Sequence, residues 1–186
     1  MADRMVDQTS VSEVIPYRPI VIAIHWISAV LILTQMWLGY TFHDLPKGTP
    51  ERDNMFLWHK TVGVTILLLV IVRLIVRMMN PPPLYPSSMS RWDRMAAIWA
   101  ERLLYLLMFA LPLTGLMAVS KGGSMTSLQF GLSFPTIPLP DLGELHEPLV
   151  FGMWVLLAVH VLAALKHQFV DKDGVAGRMI PFLRRD

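Results

Sequence analysis

Six histidines in a largely apolar chain are the residues whose type and spacing suggest chemistry. Several of them fall inside or at the start of long apolar segments, where an ionisable side chain costs enough free energy that a function is the default hypothesis. A neutral imidazole can bind a metal ion or carry a proton. Any single histidine in a membrane span is more often a hydrogen-bonded packing residue, so the functional hypothesis depends on the arrangement of the histidines together. The six are His25, His43, His59, His146, His160 and His167.

The chain that carries these histidines has the composition of a membrane protein. Of its 186 residues, 54% are hydrophobic and only 16% are charged, whereas about 25% of an average soluble domain is charged. The length suits one domain over residues 1–186, without a second soluble domain. The net charge of +2 would suggest nucleic acid in a soluble chain. Here the basic residues lie between apolar segments, so we expect no nucleic-acid partner.

Four segments are long and apolar enough to cross a bilayer as helices, which takes about 20 residues each. The expected fold is therefore all-α, an integral membrane four-helix bundle. The prolines of the loop at residues 80–97 favour a stiff extended turn rather than another helix. The loop at residues 121–146 is expected to cap the outer surface. The predicted spans are residues 20–42, 56–79, 98–120 and 147–169.

The distribution of Lys and Arg predicts the orientation of the bundle. With both termini cytoplasmic and Arg73 left aside as intramembrane, eleven basic residues lie inside and four outside, an arrangement that the positive-inside rule favours. The inside set is Arg4, Arg18, Arg77, Arg91, Arg94, Arg102, Lys166, Lys172, Arg178, Arg184 and Arg185. The outside set is Lys47, Arg52, Lys60 and Lys121.

Two depths in the membrane each receive two histidines from different helices. His25 lies near the inner end of the first span, and His160 reaches a similar depth in the fourth. His59 and His146 begin the second and fourth spans near the outer face. The fourteen residues from His146 to His160 rise by about 21 Å with a net rotation of about 40°. One helix face therefore serves both depths.

These four imidazoles suit two haem b groups, each held between two histidines in the core of the bundle. A zinc site built by the protein alone would gather its ligands at one depth. The chain has no cysteine, which excludes thiolate-bound iron–sulfur clusters and covalently attached haem. We predict an inner haem between His25 and His160 and an outer haem between His59 and His146.

Two further histidines lie near the two predicted haem levels. His43 lies eighteen residues after His25, close to five helical turns, so it is the main rival ligand for the outer haem. Because Asp44-Leu45-Pro46 ends the helix, we place His43 at the interface instead. His167 lies seven residues after His160 at the inner boundary. It can contact a haem propionate, contact a quinone or face water.

Two arginines on the second span lie near the face of His59 at its inner end. Arg73 follows His59 by fourteen residues and Arg77 by eighteen. Both can pair with the propionates of the inner haem. For Arg77, snorkelling to anionic lipid headgroups is an equally good interpretation.

Several short sequence patterns follow one another along the chain in a particular order and spacing. They are Ile24-His25-Trp26, Trp58-His59, Arg73-Leu74-x-x-Arg77 before Pro81-Pro82-Pro83, Leu104-Tyr105 with Leu111-Pro112-x-x-Gly115, and His146 with His160. Together they resemble the bacterial cytochrome b561 family over residues 17–182. The tail, Lys172-Asp173 followed by Arg178-Met179-Ile180-Pro181, resembles the superoxide oxidase branch of that family.

The resemblance implies a dihaem protein of the bacterial inner membrane that uses the same four histidines and passes electrons from periplasmic superoxide to ubiquinone. Outer basic groups would attract an anionic donor, and we expect Lys121 to mark its approach. The nearby acidic residues Asp141, Glu144 and Glu147 oppose that attraction. Quinone reduction also consumes protons, and we expect His167 to handle them.

The chain departs from the resemblance at Glu101, where many members have a histidine four positions before the tyrosine that is Tyr105 here. The resemblance associates that position with quinone or proton handling, so its role here is open. Two other functions also stay open. One is a haem subunit of a larger hydrogenase or dehydrogenase complex with a protein redox partner. The other is a haem-free transporter or structural bundle whose histidines bind protons or a metal.

Overall fold

Four helices within the described residues are long and apolar enough to cross a membrane, which confirms the expected fold class. They occur in a computed structural model that describes residues 15–183. Arg4, Arg184 and Arg185, which enter the orientation argument, lie outside the described residues. The helices are α1 (Pro19–Asp44), α2 (Pro50–Met79), α3 (Arg91–Ala118), the short α4 (Pro140–Gly143) and α5 (His146–Lys166).

The second helix begins earlier than its apolar run. α2 starts at Pro50 rather than at residue 56, because the Thr49 hydroxyl caps it by accepting a hydrogen bond from the Arg52 amide at 3.4 Å. Proline is well tolerated at this first helical position. The polar first turns extend α2 beyond the apolar stretch, so His59 lies well inside the helix rather than at its start.

The expected loop over residues 80–97 is wrong for residues 91–97, which are helical. The Ser90 hydroxyl accepts a hydrogen bond from the Asp93 amide at 3.0 Å and caps the start of α3. The Asp93 carboxylate lies in the first turn, where the helix dipole favours a negative charge. The prolines keep only the preceding segment extended.

The long helices pack side by side around a narrow apolar core. α1 lies along α2, and α3 packs against both α2 and α5. The core centres on the fully buried Val70, with Ile66, Leu67, Met108 and Met153 around it. Many large apolar side chains point outward and are exposed. This arrangement suits a bundle whose outer faces contact lipid rather than water.

The long loop after α3 contains a small β-hairpin that its sequence did not predict. Strands β1 (Met125–Ser127) and β2 (Ser133–Pro135) pair antiparallel. The turn between them is fastened to α2, because the Gln129 amide donates to the Thr61 hydroxyl at 2.9 Å. The loop is therefore held against α2 two residues after His59.

A short C-terminal segment closes the opposite end of the bundle. The Arg178 side chain is only 6% exposed, and its guanidinium donates to the backbone carbonyls of Leu84 at 2.7 Å and Pro83 at 3.4 Å. The Trp26 indole donates to the Met179 carbonyl at 3.0 Å. These bonds join the tail to α1 and to the proline-rich loop.

We predict that Arg178→Met lowers the free energy of unfolding by about 2 kcal/mol, because it leaves two backbone carbonyls without their charged donor. Denaturant unfolding in detergent micelles measures this change. Arg91→Met is the matched control, since Arg91 is exposed at the start of α3. Equal stabilities of the two variants would show that the Arg178 bonds do not fasten the tail.

Candidate functional site

Four histidines face each other in two pairs across the bundle. The ring centroids of His25 on α1 and His160 on α5 are 6.2 Å apart. Those of His59 on α2 and His146 on α5 are also 6.2 Å apart. A bond from a metal ion to an imidazole nitrogen is about 2.0–2.1 Å, so two imidazoles on opposite sides of one ion have centroids about 6 Å apart. Each pair is spaced to hold one metal ion.

The pair of His59 and His146 borders a large cavity, which we call the outer cavity. Its volume is about 630 Å³ and most of its lining is apolar. Sites for small molecules and cofactors fall in the same range, about 300–1,000 Å³. Such a cavity, lined by two imidazoles, fits a flat apolar group that carries a metal ion at its centre.

Two glycines let the helices approach the imidazoles of this cavity. A Cβ atom on Gly39 would lie 3.1 Å from Cε1 of His59, and one on Gly115 would lie 3.3 Å from Cε1 of His146. Both separations are shorter than ordinary van der Waals contact. Any side chain at either position would press on a candidate ligand.

The hydrogen bonds of His146 leave one ring nitrogen available for a metal. Its Nδ1 lies 2.9 Å from the carbonyl oxygen of Leu111. Since a carbonyl can only accept, Nδ1 carries the hydrogen and donates it. The Thr114 hydroxyl lies 3.2 Å from the same nitrogen. Metal-bound histidines commonly donate their second ring N–H to a carbonyl in this way, which leaves Nε2 as the ligand.

The surroundings of His59 include buried polar atoms without partners. The Gln35 amide nitrogen lies 3.1 Å from Nε2 of His59 and donates to it. Within residues 15–183, Nδ1 of His59 and Oε1 of Gln35 are buried and have no hydrogen-bond partner. Each such atom costs about 1–3 kcal/mol. A bound group that used a ring nitrogen would offset part of this cost, so the atoms fit a ligand site.

Gln35 was missed by sequence reasoning. An amide in the middle of an apolar span is costly in the same way as a histidine, and that was the available signal. Gln35 lies on α1 next to Gly63 of α2, where a Cβ would lie 3.1 Å from the amide nitrogen. The glycine makes room for the amide beside His59.

The pair of His25 and His160 is accompanied by a guanidinium. Nη2 of Arg73 donates to Nδ1 of His25 at 3.2 Å, and the guanidinium lies 5.4 Å from the centre of the Tyr105 ring. Nε of Arg73 is buried and has no partner among the described residues. A partly buried guanidinium with a free N–H suits a carboxylate, as the predicted role of Arg73 requires.

A small cavity of about 30 Å³ borders Arg73, but neither His25 nor His160 lines it. Tyr17, just before α1, and Glu101 help to line it. Burial raises the pKa of the Tyr17 phenol above its usual value, so the phenol stays a neutral hydrogen-bond donor at physiological pH. The ring spacing and the adjacent guanidinium of Arg73 are the features of this pair that fit a haem.

Arg77 is engaged by Glu101. Its guanidinium donates two hydrogen bonds to the carboxylate, at 2.9 Å from Nε and 3.0 Å from Nη2. The ion pair joins α2 to α3, and it differs from both predicted roles of Arg77, with propionates or with lipid. Glu101 stands at the position where many members of the resembled family have a histidine. The glutamate at this position creates the ion pair.

The two predicted catalytic residues lie at opposite ends of the bundle. Lys121 is exposed in the 3-10 turn after α3 and lies outside the lining of the outer cavity, whereas Lys60 is part of that lining. His167 is only 7% exposed, so it does not face water. Its Nδ1 lies 2.7 Å from the Asp173 carboxylate and 3.2 Å from that of Asp171.

His43, the rival ligand, lies in the last turn of α1. It is exposed and borders the outer cavity. His59 and His146 instead face each other directly. The geometry therefore favours these two over His43 as a pair around one metal ion.

Comparison with known proteins identifies the family. A family model described as prokaryotic cytochrome b561 matches residues 16–182. The chain belongs to the prokaryotic cytochrome b561 family. Members of this family are membrane-embedded b-type cytochromes that transfer electrons, and membership implies that the chain binds haem b in a bacterial membrane. The facing histidines are the side chains that best suit the haem iron.

Curated relatives align over most of this b561 chain. Cytochrome b561 homolog 2 of Escherichia coli (strain K12) is 31% identical over 88% of the chain and 90% of the relative. Cytochrome b561 homolog 1 of the same strain is 31% identical over 86% and 94%. A protein of Yersinia pestis named probable superoxide oxidase CybB is 28% identical over 89% and 96%. The chain is thus similar in length to these relatives.

We predict that Gly39→Ala lowers the haem content of the purified protein, because the added Cβ presses on His59. Gly152→Ala is the matched control, since a Cβ there would meet only Leu107, at 4.0 Å. The ratio of haem to protein, from the pyridine haemochrome spectrum, measures the effect. The same ratio in both variants would contradict the close approach of Gly39 to a candidate haem ligand.

Proposed function

We propose that residues 1–186 act as one unit that binds two haem b groups, an inner haem between His25 and His160 and an outer haem between His59 and His146. The observation that carries this proposal is the equal spacing of the two pairs, 6.2 Å between ring centroids in each. When bound, haem supplies reversible one-electron chemistry at its iron. The protein holds the group, orients it and keeps water away.

The separation of the pairs along α5 supports electron transfer across the membrane. Because His146 and His160 are fourteen residues apart on one continuous helix, about 21 Å of helix separates their levels. The apolar core around Val70 fills the bundle between helices. We propose that the termini lie in the cytoplasm and that the outer cavity opens toward the periplasm, as the excess of inner basic residues favours.

We propose that the electron donor is superoxide at the outer haem and that the acceptor is ubiquinone at the inner end. Each superoxide gives up one electron and becomes dioxygen. Two electrons and two protons convert one quinone to its quinol. The similarity to a protein named probable superoxide oxidase supports this donor. Lys121 is retained as a basic residue on the proposed approach of the donor.

We propose that His167 supplies protons to the quinone from the inner boundary. The contacts of its Nδ1 with two carboxylates support this role, because they provide a short chain of groups that can exchange a proton. Asp171 also lies 2.6 Å from Nζ of Lys166, so this carboxylate is held near the surface. The π-helical turn that carries His167 is a type of local irregularity often found at functional sites.

We predict that His25→Ala and His146→Ala each lose about one of the two bound haems, because each substitution removes one axial ligand. Haem content of the purified variants measures the loss. His43→Ala is the control and should keep the full content, since His43 faces no second imidazole. Full haem content in both ligand variants would contradict the proposed ligation.

We predict that superoxide rapidly reduces the haem of the purified protein and that ubiquinone reoxidises it, because the proposed path joins these two substrates. Stopped-flow absorption at the haem alpha band measures both steps, with ascorbate and quinol offered separately as comparison donors. Reduction only in the presence of a copurified enzyme would contradict the superoxide proposal and favour a subunit of a larger dehydrogenase complex.

A further inference from the structure

The outer cavity contains one Lys or Arg side chain among its described lining residues, and that residue is Lys60. Lys60 follows His59 directly on α2. Its Nζ donates to the Thr126 hydroxyl at 3.2 Å and lies 5.0 Å from the centre of the Phe56 ring. Thr126 belongs to β1 of the hairpin and is only 6% exposed. The hairpin therefore holds the ammonium group in the wall of the cavity.

This ammonium group has no carboxylate partner within 4.0 Å in the described part of the chain. The carboxylates of Asp44, Glu144 and Glu147 also border the cavity but form no ion pair with it. A lysine ammonium has three N–H donors, and the threonine hydroxyl takes one of them. A partly buried cation without a counter-ion is costly. An anion that entered the cavity would provide the missing counter-ion and accept a hydrogen bond from the ammonium group.

The proposed occupant of the cavity brings such an anion. Haem b has an apolar ring that suits the apolar lining and two propionate carboxylates that need polar partners. The inner pair already has a guanidinium beside a ligand, with Arg73 next to His25. Lys60, which follows His59 in the chain and also lines the outer cavity, places a cation near the outer pair.

We propose that Lys60 is a positioning residue that pairs with a propionate of the outer haem, and that Thr126 directs its ammonium group toward that propionate. This inference rests on the proposed outer haem. It assigns the lysine to the cofactor, whereas an outer basic residue would otherwise be expected to attract the anionic donor. It also gives the hairpin a role, because β1 supplies the hydroxyl that orients the lysine.

The test compares two porphyrins that differ only in charge. Haem-depleted full-length protein with His25→Ala, which leaves the outer site, is titrated with haemin and with haemin dimethyl ester. We expect Lys60→Met to weaken haemin binding on the order of tenfold, the value of one charge-assisted hydrogen bond. Binding of the dimethyl ester should be unchanged. Lys60→Arg should restore haemin binding, and Thr126→Val should cause a smaller loss.

Lys121→Met is the matched control, because Lys121 lies outside the cavity lining, and it should leave both affinities unchanged. Equal weakening of haemin and its ester by Lys60→Met would overturn the proposal, since it would indicate a packing role. Unchanged haemin binding with slower oxidation of superoxide would also overturn it and make Lys60 a donor-binding residue. If the parent protein binds neither porphyrin, the outer haem itself fails and the inference fails with it.

Discussion

The cost of placing imidazoles inside an apolar bundle is the constraint on which the rest of the structure depends. Each buried ring nitrogen needs a hydrogen bond or a metal ion. The bundle meets this need by setting the rings in pairs, with α5 supplying one ring at each level. The spacing of fourteen residues between His146 and His160 returns both to nearly the same face of the helix. That face must point inward, which fixes how α5 packs.

The two pairs of histidines have different neighbouring residues. At the outer level, the Leu111 carbonyl directs one histidine, glycines admit both rings, and a large cavity lies between helices. At the inner level, Arg73 contacts His25 directly, and the ion pair of Arg77 with Glu101 stands beside it. Both guanidinium groups keep a buried N–H without a partner among the described residues, Nε of Arg73 and Nη1 of Arg77, so each can donate to a carboxylate of a cofactor.

Much of this arrangement could be predicted from the sequence because it depends on local periodicity. Long apolar runs predicted the four helices, and the depths of the histidines within those runs predicted which rings meet. The starts of α2 and α3 could not be read from apolar runs, because Thr49 and Ser90 extend both helices through polar turns. The hairpin was missed because its strands have three residues each in a segment rich in glycine and proline.

The remaining misses are contacts between residues far apart in the chain. Lys60 meets Thr126 across 66 positions, and Arg77 meets Glu101 across 24. Spacing along one helix says nothing about such partners. His167 shows the same limit on a smaller scale, since its burial depends on how the tail folds back to bring Asp173 beside it.

The proposed function depends on two irons, each held between two histidines. Electron paramagnetic resonance of the oxidised full-length protein tests this claim most directly, because the spin state of ferric haem depends on its axial ligands. We predict two low-spin signals, one of which disappears in the double variant His25→Ala with His160→Ala and the other in His59→Ala with His146→Ala. A single signal, or high-spin iron in the unmodified protein, would contradict the proposed function.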